Sequence, residues 1–150
     1  NIGGTRADMG NAVFVAAMLE LPTMAFFTKM SEKINCGTLI KFSILMFCVK
    51  HALTYFATNM IMIYLAQVCQ MFAYALFVPA SVYYVNEKIA VADRVKGQSL
   101  VTTSMTLSGV FANFAGGIML DALGVGHVLL AGVILSIVGA VIVILTTEKV

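Results

Sequence analysis

Five long apolar stretches, separated by short polar links, make up most of the chain. They run from about Gly10 to Lys29, Thr38 to Ala57, Met60 to Val85, Gln98 to Leu120 and Gly126 to Thr146. Each is close to the roughly 20 residues that an α-helix needs to cross a bilayer. The pattern therefore predicts an all-α, polytopic bundle with five transmembrane spans. The link around Thr58 and Asn59 is short enough to fold the second and third spans into a tight antiparallel hairpin. Pro22 and Pro79 fall inside spans, where membrane helices accept proline as a kink.

The polar positions inside these stretches carry the chemistry. Glu20 lies near the middle of the first span, and Lys50 and His51 lie inside the second. On insertion scales a central Asp, Lys or Arg costs about 2.5–3.5 kcal/mol, so such residues face a bundle interior or a water-filled path. Glu20 is nine residues before Lys29, and Lys50 is nine residues after Lys41. At a helical rise of about 1.5 Å per residue, both sit ~13 Å from the same boundary. A carboxylate and an ammonium at matching depth suit an ion pair or a shared proton; the structural alternative is a salt bridge between the first two spans. Lys50 and His51 are adjacent and thus about 100° apart around a helix, so both cannot face one cavity.

The third span carries Gln67, Gln70 and Tyr74 on one face. Amides and a phenol suit the hydroxyl groups of a small polar solute, and they also serve as interhelical glue. The fourth span carries a stripe of Thr102, Thr106, Gly109, Asn113 and Gly116, in which Asn113 is the candidate solute contact. In the fifth, Gly132, Ser136 and Gly139 form a small-residue seam on an otherwise aliphatic helix that faces lipid over much of its surface.

Composition agrees: 61% of the residues are hydrophobic and 11% charged, too little polar surface for a soluble domain of 150 residues. The net charge of +2 matters less than its placement. With the N-terminus outside, the inner segments hold Lys29, Lys33, Lys41, Lys88, Arg94, Lys96 and Lys149, and the outer segments hold only Arg6. Seven basic residues against one orient the chain with its C-terminus in the cytoplasm. Cys36, Cys48 and Cys69 are read as reduced thiols, with no metal site and no disulfide framework. Metalloprotease, P-loop, nucleophile-elbow and dinucleotide motifs are missing, and the scattered basic residues do not suit nucleic acid. No cofactor and no catalytic residue is expected. The chain begins at Asn1 and reads as a piece of a larger polypeptide.

Three motifs carry a resemblance to the major facilitator superfamily. Asp93-Arg94-Val95-Lys96-Gly97-Gln98 resembles the charged, glycine-containing approach to that family's eleventh helix. Gly116-Gly117-Ile118-Met119-Leu120-Asp121-Ala122-Leu123-Gly124 resembles the G-G-x-x-x-D-x-x-G ending of the same helix. Ser31-Glu32-Lys33-Ile34-Asn35-Cys36-Gly37 stands where the family has its acidic-basic inner loop, with the second basic pair lost and the glycine displaced. The stretch Phe77–Asn86 looks like the subgroup of phenylpropionate permeases, related to lactose and nucleoside proton symporters. Because the first span runs from outside to inside and the loop after it is degenerate, the spans match helices eight to twelve.

The resemblance implies part of a secondary active transporter, a proton-coupled symporter for a small polar or organic-acid solute that works by alternating access. Its partners would be the lipid bilayer, protons, the solute and a missing N-terminal half. It would lie in a bacterial inner membrane. In this fold the eighth, tenth and eleventh helices line the cavity. Glu20, Lys50 and His51 would serve proton coupling or substrate binding, and Gln67, Gln70, Tyr74 and Asn113 would contact the solute. The alternatives are a non-transporting bundle with a structural Glu20–Lys50 pair and, ranked last, a membrane-embedded enzyme built on Glu87, Asp93 and Arg94.

Overall fold

The computed structural model of the protein describes residues 4–148, the side chains of Arg6 and Met9 apart. Lys149, which the charge pattern assigns to the inner side, lies outside the described residues. Among the described residues every regular element is helical: α1 (Arg6–Ser31), α2 (Cys36–Tyr55), α3 (Met60–Lys88), a 3₁₀ turn (Val91–Asp93), α4 (Arg94–Leu123) and α5 (Val125–Thr146). All five α-helices include a segment long and apolar enough to cross a membrane. Each overlaps one of the five apolar stretches, and most run past it into polar flanks.

Local chemistry sets the helix ends. Thr5 and Asp8 form a reciprocal capping box at the start of α1. The two hydrogen bonds from Thr5 hold the Asp8 carboxyl below the usual carboxylate range. Asn35 caps α2 by accepting from the amides of Gly37 and Thr38, and Asn59 caps α3 by accepting from Met62. Between α4 and α5 the chain turns on one residue, Gly124, at φ 82°, a left-handed backbone that a side chain resists. Pro22 and Pro79 lie inside continuous helices.

Packing follows from where the small residues are. α3 packs on both α1 and α2, and α5 packs chiefly on α2, so the main contacts run in the order α1, α3, α2, α5. α4 packs more sparsely, against α3 and α5. The buried positions of α3 are mostly small, Ala66, Ala73, Ala75, Ala80 and Ser81, and α1 meets the bundle through Ala12 and Ala16. Small side chains permit the close backbone approach that dispersion needs where lipid removes the hydrophobic drive between helices. One cluster of larger residues, Phe27, Leu39, Ile40 and Leu76 with Ala80, forms the core, joined by Met30, Phe77, Tyr84 and Val143. α5 buries only Ala140 fully, and its seam toward α2 is polar at one point, where the Cys48 thiol donates to the Ser136 carbonyl at 3.2 Å.

The basic ends of the helices are tied together. Lys88 at the end of α3 pairs with Glu148, just past α5. The Glu148 amide also donates to the Tyr84 hydroxyl at 3.3 Å. The Lys88 ammonium holds the Glu148 carboxyl below its usual range. A folded-state value depressed in this way means that the pair contributes at neutral pH and is lost as pH falls through that value. The Glu148 carbonyl lies so close to Gly37 that a Cβ there would overlap it. Gly37→Ala is therefore expected to displace residues 147 and 148. Faster hydrogen exchange at the Thr147 amide would report it, and acidification below the usual carboxylate range should produce the same change in the unaltered chain.

Candidate functional site

Four of the groups that the sequence singles out at membrane depth, Glu20, Lys50, Gln67 and Gln70, border one cavity. It is about 340 Å³ in volume and is lined by Val13, Ala16, Ala17 and Glu20 of α1, Lys50 of α2, and Gln67 and Gln70 of α3. Glu20, Lys50, Gln67 and Gln70 are each half-buried. The cavity exists because α1 presents alanines where α3 and α2 present long polar side chains. Small residues leave the space, and amides and charges border it.

Lys50 does not bond directly to Glu20. Its ammonium donates to the Gln70 side-chain carbonyl at 2.5 Å. Among the described residues the ion pairs are Lys88 with Glu148 and Lys96 with Asp93, both at the basic end. The packing order explains this: α3 stands between α1 and α2, so the first side chain that Lys50 meets on its way to Glu20 belongs to α3. Thr54 donates to the Lys50 backbone carbonyl at 2.8 Å, which satisfies its hydroxyl within α2. Among the described residues Glu20 makes no side-chain hydrogen bond and no contact ion pair, and it borders the cavity within electrostatic reach of Lys50.

The other three candidates lie elsewhere. His51 turns away from the cavity, as its neighbourhood to Lys50 requires. Its Nδ1 bonds to the Phe47 carbonyl at 2.9 Å, its ring stacks on Phe47, and its edge faces Gly132 of α5. Tyr74 shares the face of Gln67 and Gln70 but lies about 6 Å along the axis from Gln70, and its side chain is exposed. Asn113 is exposed on the loosely packed α4 and lines neither cavity.

A second, more open groove of about 510 Å³ lies at the basic end between α3 and α4. Asn86, Arg94, Gln98, Ser99, Thr102 and Thr103 line it together with Val95. Gln98 bridges the two helices, donating to the Val82 carbonyl at 2.9 Å. Of its lining, the sequence pattern singles out Arg94, in the enzyme alternative ranked last, and Thr102, in the polar stripe of the fourth span. The available signal was the polar pairs Gln98-Ser99 and Thr102-Thr103, one turn apart near the start of α4.

Side chains in contact couple in stability, whereas separated ones add. The pair Lys50→Leu and Gln70→Leu is expected to depart from additivity by roughly 0.5–3 kcal/mol. His51→Ala and Gln70→Leu should add. Thermal unfolding of the purified protein in detergent, over both double-mutant cycles, checks this.

No curated protein and no solved structure matches the chain. The family model of the Major Facilitator Superfamily matches residues 1–150. A five-helix all-α bundle, apolar enough to be an integral membrane protein, with a polar cavity bordered by a carboxylate and an ammonium, is in keeping with that match, and the chain belongs to the Major Facilitator Superfamily of membrane transporters.

Proposed function

We propose that the chain is helices eight to twelve of a proton-coupled symporter, whose solute is a small polar molecule or organic acid. The observation that carries this reading is the shared cavity of Glu20, Lys50, Gln67 and Gln70. A lone intramembrane carboxylate beside a polar cavity can take a proton and become neutral. Neutral, it is much less costly to carry through an apolar layer, so protonation favours reorientation. Gln67 and Gln70 offer amide donors and acceptors to a solute in the same space. Tyr74, on the same face and nearer the basic end, would meet the solute on its path, and Asn113 would do so on α4.

In this reading α1, α3 and α4 line the central path, and α2 and α5 are peripheral. The mutual packing of α2 and α5, and the turn of His51 into that seam, fit such a division. His51 then acts by fixing α2 against α5, while Lys50 reaches the path from α2. The basic end, with Lys29, Lys33, Lys41, Lys88, Arg94 and Lys96, is the cytoplasmic end, which puts the N-terminus of the chain outside. The membrane is a bacterial inner membrane. An N-terminal half of the transporter supplies the opposite wall, and the two halves rock about the midplane. The solute belongs to the range handled by the phenylpropionate, lactose and nucleoside symporter subgroup that the Phe77–Asn86 stretch resembles.

The test uses the full-length transporter in sealed liposomes under an imposed pH gradient, with internal pH followed as sugars, nucleosides and aromatic acids are added. Solute-dependent proton entry is expected, and Glu20→Gln should abolish it. Proton entry unchanged in that variant would remove Glu20 from the coupling step.

A further inference from the structure

We infer that Gln70 is a positioning residue: it holds the Lys50 ammonium off Glu20 and so keeps the carboxylate open to a proton. The inference rests on the proton-coupling reading above. Glu20 and Gln70 border the same cavity as Lys50, yet the ammonium bonds to the neutral amide at 2.5 Å and forms no ion pair with the carboxylate.

An amide suits this task. Its carbonyl accepts from an ammonium without neutralising it, and its N–H groups stay available to a solute. A carboxylate at position 70 would neutralise the lysine. An apolar residue there would leave the ammonium the Gln67 amide and Glu20, of which Glu20 is the charged and stronger acceptor. A proton and an ammonium compete for the same carboxylate, and an opposite charge within about 4–6 Å favours the ionised form by roughly 1–3 pH units. Gln70 sets the outcome of that competition because α3 lies between the two charged helices.

No other charge in the cavity intervenes. Glu20 is the ionisable group that α1 contributes and Lys50 the one that α2 contributes. His51 is turned onto the Phe47 carbonyl and toward α5. On α3, Gln67 and Gln70 are neutral, and Tyr64, Cys69 and Tyr74 do not line the cavity. α4 carries no ionisable side chain between Lys96 and Asp121. Along α5 the one ionisable side chain is His127, whose ring bonds to the Leu123 carbonyl at 2.7 Å.

Gln70→Leu in the full-length transporter tests this. The pH at which solute-driven proton entry is half-maximal should move to lower pH by about one unit or more. Adding Lys50→Gln to that variant should bring it back, because the competing ammonium is gone. Infrared difference spectroscopy supplies a second readout. The protonated-carboxyl band of Glu20, identified by its loss in Glu20→Gln, should shift its pH dependence in the same direction even in a variant that no longer transports. A raised KM for solute with an unmoved pH profile would overturn the inference and make Gln70 a solute contact only. An acid shift that Lys50→Gln fails to reverse would overturn it as well. Failure of the proton-coupling reading shows separately, as wild-type proton entry that Glu20→Gln leaves unchanged; the infrared titration then decides the role of Gln70 alone.

Discussion

A hydrocarbon interior offers no hydrogen-bond partner to a charge or an open polar group, and the polar side chains of this chain are arranged around that constraint. Hydroxyls solve it locally. Thr23, Ser43, Thr54, Ser81, Ser136 and Thr106 each donate to a carbonyl three or four residues back in their own helix. They are satisfied without reaching a neighbour and do little to hold helices together. Polar contact between helices comes from the Cys48 thiol on the Ser136 carbonyl and from side chains too long to fold back. Lys50 meets Gln70 across α2 and α3, and Gln98 meets the Val82 carbonyl across α4 and α3.

The remaining cohesion is packing, and it is uneven. α3 is central because its alanines let α1 and α2 approach it from two sides. The aromatic and aliphatic core around Phe27 and Leu76 fills the space on the basic side of Glu20. The cavity lies beyond that core, where Ala16 and Ala17 replace large side chains. The packed core thus lies beside the polar cavity in which Lys50 bonds to Gln70. α4, which packs on α3 and α5 through few contacts, is the helix most free to shift against the rest.

Much of this was legible in the sequence, for physical reasons that differ by feature. Helix existence follows from apolar length, because a bilayer has a thickness and a helix a rise. Several helix ends extend beyond the apolar stretches, since caps such as Thr5 and the polar last turn before Lys88 are set by backbone satisfaction. The depth match of Glu20 and Lys50 was visible in spacing alone. So was the inability of His51 to share the cavity with Lys50. The partner of Lys50 was not visible, because it depends on which helix stands between α1 and α2. Spacing along one helix does not encode lateral order. Tyr74 and Asn113 show the same limit: a shared face fixes direction around an axis, while a cavity selects by depth and by neighbouring helix.

In the proposed mechanism the cavity around Glu20 is an aqueous station reached alternately from the two sides of the membrane. Ala17 lines it without carrying its chemistry, which makes position 17 a suitable reporter. The direct measurement places Ala17→Cys in the full-length transporter, with Cys36, Cys48 and Cys69 replaced. Modification by a membrane-impermeant thiol reagent is then followed from each face, with and without a pH gradient. The account predicts reaction from both faces, with the balance between them moved by the gradient. A thiol that reacts from neither face, or from one face alone whatever the gradient, would contradict it.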